Sequence, residues 1–532
     1  MSEEQNISAF SVLFENTSDP KRKQLIGKEI DRILAPYYDR PTPNQIAQSL
    51  IARFGSEALL PKNPVLQAVV FGLALNEIQK LSNHLDLSCN NIDIYDEVYA
   101  RLKVDITPLL EFFNLPNYFS LKPLPDNRST SEVLSLKYEQ PLVSKGYPHS
   151  YQNRIKIEAL QKVRSIKSEY KALIIMPTGS GKTRTALEFM IDFIRGESSA
   201  NILWAVESPG LSEQSLNAFK GLWNQRGDRE LTIHRCFNKF KPNFSPNNGV
   251  NITFGAFAKI NSLKDENDAF YLSLKRNLNL LIIDEAHSSL AETYESLISD
   301  IQTSSRDLIT IGLTATPMRN DDNELFNLKT YFSRNSFEIS DKNHQRISDP
   351  ISYLQAEGFL AQVDCEYLNI PHEQIAENSK EFNSKIIERI KVSLEENKQI
   401  IVFAMSKHHA IALKILLQEE KVKVACITGN TPPQDRLVYF DEFQSKSMDS
   451  SYKLNVLVNY GILSTGIDLP RVDELFILRK FGNLTTAMQV VGRALRGKEN
   501  GGNKRNKIVS VKSNRETIHS ESDLFNAINN MY

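Results

Sequence analysis

Cysteine is scarce in this chain of 532 residues, and the patterns in which cysteine stabilises small domains are missing. The four cysteines, at positions 89, 236, 365 and 426, are far apart and form no CxxC pair. Such spacing argues against a zinc ribbon, an iron–sulfur cluster and a disulfide scaffold. A reducing compartment, the cytoplasm, is therefore the expected location.

Long hydrophobic runs are also missing. The apolar segment at residues 65–75 contains Gln67 and falls short of the roughly 20 residues that cross a bilayer. The first ten residues have no basic stretch that leads into an apolar core, so we expect no secretory signal. The sequence thus predicts a protein without membrane association.

No excess of one charge is present, since 63 Lys and Arg face 64 Asp and Glu and the formal net charge is −1. A nucleic-acid partner would have to bind a local positive surface. Hydrophobic residues make up 41% and charged residues 24%, as in ordinary globular proteins. The length exceeds that of one compact core, which favours two or three domains.

Residues 1–138 are expected to form a mostly helical domain. Apolar residues recur at three-to-four spacing over 21–38, 43–55 and 65–81, and a polar, proline-containing linker is predicted at 121–132. This first region contains no recognisable catalytic constellation. A docking or regulatory role is the resulting expectation.

From residue 139 the chain shows short, continuous runs of Ile, Leu and Val between helical segments, which is typical of parallel strands covered on both faces. We predict an α/β fold with two doubly wound parallel-sheet lobes, at 139–335 and 336–532, separated by a cleft. Helices are predicted at 184–196 and 380–398. Strands are predicted at 171–177, 201–209, 251–257, 278–287, 308–317, 399–406, 421–429, 454–461, 473–480 and 507–511.

The segment MPTGSGKT, at 176–183, follows the first of these strands and precedes a helix. Gly179 and Gly181 allow backbone N–H groups of the loop, which also contains Thr178 and Ser180, to point at phosphate oxygens. Lys182 would reach the β- and γ-phosphates of a nucleotide, and the hydroxyl group of Thr183 would bind Mg²⁺. Met176 replaces the first glycine of the strict pattern, but the strand–loop–helix context disfavours a chance glycine turn.

Two carboxylates end a later strand in the segment DEAH, at 284–287. Asp284 is predicted to hold Mg²⁺, and Glu285 to orient and deprotonate the attacking water. The alternative is an ordinary acidic strand end. His287 could be a zinc ligand, but no partner ligands occur at metal spacing.

The segment QVVGRALR, at 489–496, places Gln489, Arg493 and Arg496 on one face of a predicted helix. Arginines on the second lobe would reach a triphosphate on the first lobe only when the cleft closes, and would then stabilise charge on the γ-phosphate. Hydrolysis would thereby be coupled to lobe closure. A solvated basic helix face is the alternative, and a solvated loop is the expectation for the basic tail at 496–507.

In this order, the motifs resemble those of superfamily 2 helicases and translocases of the DEAH-box, restriction and repair type, over residues 140–511. The resemblance implies two tandem RecA-like lobes, with ATP and Mg²⁺ as cofactors. It implies that Gln152 in HSYQNRI reads adenine and that LTATP (313–317) links hydrolysis to strand movement. It also implies that Gly466 and Asp468 sense the nucleotide across the cleft.

The resemblance further implies a nucleic-acid face made of hydroxyl groups, backbone N–H groups and a lysine, which track phosphates without reading sequence. Each candidate could equally lie in an ordinary loop. The candidates are Ser208, Pro209, Gly255, Lys407, Thr428, Gly429 and Thr465.

An ATP-driven nucleic-acid motor is the function we expect, acting on DNA rather than RNA because residues 427–445 resemble restriction and repair translocases. Repair, restriction and antiviral defence are the corresponding processes. One alternative is a motor subunit whose effector, such as a nuclease, is a separate protein bound through residues 1–138. The others are a nucleotide-dependent switch and an RNA helicase.

Overall fold

The computed structural model describes residues 3–55, 59–87, 93–119, 128–135, 146–166, 168–242, 249–286, 292–315, 322–396, 398–444, 454–461, 472–479, 491–492 and 496–512. Within these ranges the chain forms an N-terminal domain (3–119), lobe 1 (131–337) and lobe 2 (350–512). In the same ranges we find no helix with the length and apolar character that crossing a bilayer requires.

The N-terminal domain is helical, as expected. The segments 21–38 and 65–81 each contain two helices rather than one. Gly27, at φ 96°, separates the two helices of the first segment, and the first helix of the second segment ends at Gly72. A capping box of Thr42 and Gln45 starts the helix that ends before Gly55. The described helices are α1 Glu3–Ser11, α2 Asp19–Ile26, α3 Lys28–Leu34, α4 Pro43–Phe54, α5 Asn63–Gly72, α6 Leu75–His84, α7 Ile94–Val104 and α8 Thr107–Phe112.

Lobe 1 is a sheet of order β1-β4-β5-β3-β6-β7-β2-β8, parallel except for the β1–β4 pair. Its strands are β1 Ser131–Leu134, β2 Tyr170–Ile175, β3 Ala200–Val206, β4 Leu231–Cys236, β5 Val250–Ala256, β6 Leu280–Ile283, β7 Ile309–Thr314 and β8 Ser336–Phe337. Its helices are α9 Ser150–Ser165, α10 Lys182–Arg195, α11 Pro209–Arg226, α12 Phe257–Asp265, α13 Ala269–Asn277, α14 Glu292–Ser304 and α15 Asp322–Tyr331. Helices α9–α11 cover one face and α12–α15 the other, so the sheet is doubly wound.

Lobe 2 is a fully parallel sheet of order β11-β12-β10-β13-β14-β9. Its strands are β9 Gln362–Asn369, β10 Ile400–Phe403, β11 Val424–Ile427, β12 Val456–Asn459, β13 Glu474–Ile477 and β14 Arg505–Lys512. Its helices are α16 Pro350–Ala356, α17 Lys380–Glu395, α18 Lys407–Glu419 and α19 Pro433–Gln444. The two-lobed α/β prediction is therefore confirmed, together with its strands, while β1, β4, β8 and β9 were not predicted.

Strand pairing moves both predicted boundaries of lobe 1. β1 lies before residue 138 but pairs with β4, and β8 lies after residue 335 but pairs with β2. Lobe 1 therefore begins before residue 138 and ends after residue 335. Neither short strand has the continuous apolar run that marks the buried strands, which is why the sequence pattern does not show them.

The N-terminal domain packs on lobe 2, although lobe 1 follows it in the chain. Helices α3 and α4 lie against α18, and the apolar residues of both units form one core. The hydroxyl group of Tyr37 donates to the carbonyl group of Lys380 at 3.0 Å, and the amide of Gln45 donates to Glu419. The N-terminal domain and lobe 2 are thus packed as one unit, and a second cluster of buried apolar residues joins lobe 2 to lobe 1.

This shared core generates a stability prediction. Leu50 of α4 is buried, and its replacement by Ala should cost roughly 2–5 kcal/mol because a cavity remains. In hydrogen exchange, amides of α18 should then exchange faster, whereas amides of α10 in lobe 1 should keep their wild-type protection. Val104, 83% exposed, supplies the control, since Val104→Ala should change stability by less than about 0.5 kcal/mol. Unchanged protection of α18 in Leu50→Ala would contradict a common unit.

Candidate nucleotide-binding site

A glycine-rich loop joins β2 to α10. Gly179 and Gly181 have φ values of 79° and 85°, in the left-handed region that a side chain disfavours. A Cβ atom at Gly181 would also lie 2.4 Å from Nε2 of Gln152. The loop therefore requires glycine at this position, and it ends at the N-terminus of a 14-residue helix, where backbone N–H groups favour an anion.

Helix α9 fixes this loop through the carbonyl group of Ser180. That carbonyl accepts hydrogen bonds from the hydroxyl group of Tyr151 at 2.7 Å and from Nε2 of Gln152 at 2.9 Å. The other end of the Gln152 amide accepts from the backbone N–H of His149 at 2.9 Å. The structure thus places Gln152, predicted to read adenine, in contact with the phosphate loop. Tyr151 was not predicted, although its position beside Gln152 could have suggested it.

The two predicted halves of the site, about 100 residues apart in sequence, meet in the structure. The Thr183 hydroxyl group donates to Oδ2 of Asp284 at 3.3 Å, and Nζ of Lys182 lies 3.9 Å from Oε1 of Glu285. The sheet order explains this, because β7 alone separates β2 from β6, and the carboxyl ends of parallel strands meet at one edge.

The electrostatics of the pair of carboxylates favour a bound cation. Asp284 is 8% exposed, and burial together with the neighbouring Glu285 raises the pKa of Asp284, while Lys182 and the Thr183 hydrogen bond oppose this rise. Glu285 adopts a φ of 52°, which is uncommon outside glycine and is often found at functional sites. The site therefore combines buried negative charge with backbone strain.

Mg²⁺ fits this donor set. The ion takes oxygen ligands and is usually held by one or two protein groups, with phosphate and water completing its shell. Thr183 and Asp284 supply such oxygens side by side. In the part of the chain that the structure describes, we find no cluster of three or more His, Cys, Asp or Glu that could hold a metal ion.

A cavity of about 810 Å³ connects this site with lobe 2. Lobe 1 lines it with the phosphate loop, Lys182, Asp284, Glu285 and one side of α11, and lobe 2 contributes Arg496 and Asn500. Gln489, Arg493, Gly466, Asp468, His287 and Thr465 lie outside the described residues. Arg496 is thus the predicted second-lobe residue that the described structure brings to the site.

The helical spacing predicted for 489–496 does not extend to Arg496. The backbone of Arg496 pairs with Leu360 in an antiparallel bridge, so this residue is extended rather than helical. The tail after it is exposed at Lys498 and Lys504, as expected for a solvated loop, but the backbone of its 3₁₀ turn, Lys498–Asn500, is anchored on residues 358–359. A Cβ atom at Gly497 would lie 2.1 Å from the carbonyl oxygen of Gly358, so this contact is backbone against backbone.

The same turn contacts lobe 1 beside the phosphate loop. The ring Nε2 of His149 hydrogen-bonds Oδ1 of Asn500 at 2.7 Å, and Nδ2 of Asn500 donates to the carbonyl group of Phe359 at 2.6 Å. The Phe359 ring lies 4.5 Å from that of His149 and 4.9 Å from that of Tyr151. The cleft is therefore bridged next to the residues that hold the loop.

Two family models match the chain over the two lobes. "Type III restriction enzyme, res subunit" matches residues 145–319, and "Helicase conserved C-terminal domain" matches residues 382–498. Both matched ranges border the cleft described above. The chain belongs to superfamily 2 of the helicases.

Curated relatives of this chain are distant. A protein assigned as helicase 22 of Sulfolobus islandicus filamentous virus is 25% identical over 359 residues, which are 62% of this chain and 58% of the relative. The Type I restriction enzyme EcoKI endonuclease subunit of Escherichia coli K12 is 23% identical over 62% of this chain and 32% of its own length. The chain thus spans between about a third and three fifths of the length of these relatives.

Solved structures share the fold. The Type ISP restriction-modification enzyme LlaBIII bound to DNA has a TM-score of 0.54 at 16% identity, over 73% of this chain and 30% of LlaBIII. A variant of Dbp5 from Saccharomyces cerevisiae bound to RNA and ADP BeF3 has a TM-score of 0.50 at 16% identity, over 72% of this chain and 88% of the Dbp5 chain. At this identity the likeness concerns the RecA-like fold alone.

The predicted nucleic-acid residues of lobe 1 have structural roles. The Ser208 side chain accepts from the backbone N–H of Leu211 at 3.4 Å and caps α11, with Pro209 as its first residue. Gly255 is buried in β5, where a Cβ atom would lie 2.7 Å from Cδ1 of Ile260. Their contact with nucleic acid stays a prediction.

The candidates of lobe 2 lie at the carboxyl ends of two strands. Lys407, half-buried, opens α18 after β10. Thr428 is buried after β11, and its hydroxyl group accepts from the backbone N–H of Asn430 at 3.3 Å. Gly429 is exposed. The accessible part of this loop is therefore its tip, Gly429 and Asn430.

The glycine geometry generates a binding prediction. Gly181→Ala should weaken ATP binding about five- to thirtyfold, because a left-handed alanine costs about 1–2 kcal/mol and its methyl group would displace Gln152. Isothermal titration calorimetry gives the dissociation constant. Gly249→Ala is the control, since a Cβ atom there meets nothing within 4 Å. Equal affinities for the two variants would show that the loop does not bind the phosphates.

Proposed function

We propose that this chain is an ATP-dependent nucleic-acid translocase that acts on DNA and couples ATP hydrolysis, with Mg²⁺, to movement of its lobes. The observation that carries the proposal is a single cavity lined by Lys182, Asp284 and Glu285 of lobe 1 and by Arg496 of lobe 2. A site divided between two lobes can respond to their separation, which is what a motor requires.

Lobe 1 would perform the chemistry. Lys182 and the loop N–H groups would bind the phosphates, and Thr183 and Asp284 would hold Mg²⁺, which would neutralise charge on the phosphate oxygens. Glu285 orients the attacking water and accepts its proton. Its carboxylate lies 3.9 Å from Lys182, so this lysine can bind both the γ-phosphate and the base that acts on it.

Lobe 2 would complete the site. The Arg496 guanidinium can stabilise charge that develops on the γ-phosphate, as an arginine finger does. Gln489 and Arg493 are proposed to act beside it, and Gly466 and Asp468 to sense the nucleotide. Because lobe 2 carries Arg496, hydrolysis would be fastest when the cleft is closed.

DNA is the favoured nucleic-acid substrate. The matching family is a restriction-enzyme subunit, and LlaBIII, the structural neighbour of higher TM-score above, is bound to DNA. An RNA track is the second candidate, since the Dbp5 variant is bound to RNA. Repair, restriction or antiviral defence in the cytoplasm is the proposed setting.

A separate effector, such as a nuclease, would fit the restriction-type matches. The description of the res-subunit family and the name of the EcoKI relative both refer to a subunit of a larger enzyme. The exposed surface of the N-terminal domain is its proposed docking site. Since this domain is fixed to lobe 2, a partner bound there would follow lobe 2 as the cleft opens and closes. Co-purification of a nuclease that depends on residues 3–119 would support this arrangement.

Substitutions in the site should separate binding from hydrolysis. Lys182→Ala should abolish measurable ATP binding, because a positive group facing the phosphates is lost. Glu285→Gln should retain ATP binding while turnover falls about 10²–10⁴-fold, the usual contribution of a general base. Lys342→Ala, at an exposed position, is the control for both assays. Normal turnover in Glu285→Gln would remove the assigned base.

Polynucleotides should stimulate turnover. We expect ATP hydrolysis to rise at least tenfold with DNA and to rise less with RNA of the same length. The measurement is steady-state phosphate release with double-stranded DNA, single-stranded DNA or RNA at one salt concentration, since phosphate contacts depend strongly on salt. Greater stimulation by RNA would transfer the proposal to an RNA motor, and no stimulation by any of the three would favour a nucleotide switch.

A further inference from the structure

The N-terminal domain contacts lobe 2 at the tip of the loop that follows β11. The side-chain amide of Asn430 donates to the carbonyl group of Arg53 at 2.9 Å. Gly55 packs so closely on Pro432 that a Cβ atom there would lie 2.4 Å from Cγ of the proline. The C-terminal end of α4 is therefore fixed beside the loop that contains Gly429.

Two cations come together at this junction, one from each unit. Arg53 lies in the last turn of α4, and Lys407 opens α18 after β10. Since β10 and β11 are parallel neighbours of β12, Lys407 and the loop at 428–430 lie at the same edge of the sheet. Burial lowers the pKa of the Lys407 ammonium group, and the positive charge of Arg53 lowers it further.

Neither cation is neutralised by a carboxylate within the described ranges of the chain. Nη1 of Arg53 donates to the carbonyl group of Leu25 at 3.2 Å, and its guanidinium lies over the Phe54 ring at 4.9 Å. Lys407 forms no ion pair with any described residue. Half-buried like charges repel, and an anion bound between them would offset this repulsion.

A third cation shapes the loop. Arg436 donates to the carbonyl groups of Thr428, Gly429 and Thr431, at 3.3, 3.2 and 2.8 Å. These carbonyl oxygens are thereby directed toward a guanidinium group. The exposed loop tip thus lies among positive groups, which suits a phosphate rather than a cation or an apolar ligand.

We propose that Arg53 and Lys407 bind the phosphodiester backbone of a nucleic acid together, so that the N-terminal domain forms part of the nucleic-acid-binding surface of lobe 2. The inference deepens the proposed translocase function and rests on it. It assigns to the first domain a positioning role on the track, in addition to any role in partner docking. Because phosphate contacts carry no sequence information, the surface fits a protein that moves along a backbone.

The test measures oligonucleotide affinity against salt concentration by fluorescence anisotropy, with a 20-nucleotide single strand and the matching duplex. Arg53→Gln should weaken binding about three- to tenfold and make the log–log salt slope shallower by about one, as expected for one lost phosphate contact. Lys407→Gln should do the same, and the double variant should lose about two units of slope. ATP affinity should stay at the wild-type value in all three.

Two variants control for charge and for position. Arg53→Lys keeps the charge and should keep the salt slope. Arg32→Gln removes a cation of α3 that pairs with Glu29 at 3.0 Å, and it should leave affinity and slope unchanged. A wild-type slope in Arg53→Gln, or an equal loss in Arg53→Lys, would overturn the proposal.

Hydrogen exchange on the wild-type chain tests the surface without substitution. Oligonucleotide binding should slow exchange at residues 53–55 and at 429–430, and the absence of protection at both would overturn the inference, even where Arg53→Gln failed to fold. If the wild-type chain binds oligonucleotide, but its salt slope does not depend on Arg53 and neither 53–55 nor 429–430 is protected, only this inference fails. If the wild-type chain binds no oligonucleotide and its turnover is not stimulated, the translocase function itself fails.

Discussion

Burial of Asp284 beside Glu285 is the constraint on which the site depends. Asp284 is buried and Glu285 is half-buried, so the two adjacent carboxylates repel each other, and Lys182, itself 8% exposed, offsets only part of their charge. The remaining positive charge would come from Mg²⁺ and from Arg496 across the cleft. If lobe 2 approaches lobe 1 as proposed, Arg496 would supply part of the positive charge that this site lacks.

A continuous set of contacts connects the phosphate loop with the segment that contains Arg496. The carbonyl group of Ser180 accepts from Tyr151 and Gln152 on α9. The residue before α9, His149, bonds Asn500. Asn500 in turn donates to the carbonyl group of Phe359. Phe359 precedes Leu360, the residue whose backbone pairs with Arg496. Hydrogen bonds and packed rings therefore link the phosphate loop directly to the segment that pairs with Arg496.

Much of this arrangement could be predicted from the sequence, because its physical signals are local. The buried strands appear as continuous apolar runs, and the loop at 176–183 joins one of them to a helix. The features that the sequence pattern did not predict also have physical explanations. Strand β9 is only half-buried along its length and lacks such a run, and Gly27 ends a helix inside a pattern that is otherwise helical. The packing of the tail after Arg496 depends on Gly497, whose close contact with Gly358 has no sequence signature.

The position of the N-terminal domain depends on contacts between residues hundreds of positions apart, yet one helix contains a signal for it. A helix that covers a sheet normally leaves a polar face to solvent. In α18 all residues from His409 to Leu417 are buried, Lys414 included. A helix apolar on nearly every side must be covered on both faces, by its own sheet and by something else. The sequence of α18 therefore requires a second layer over lobe 2, and the N-terminal domain is the part of this chain that supplies it.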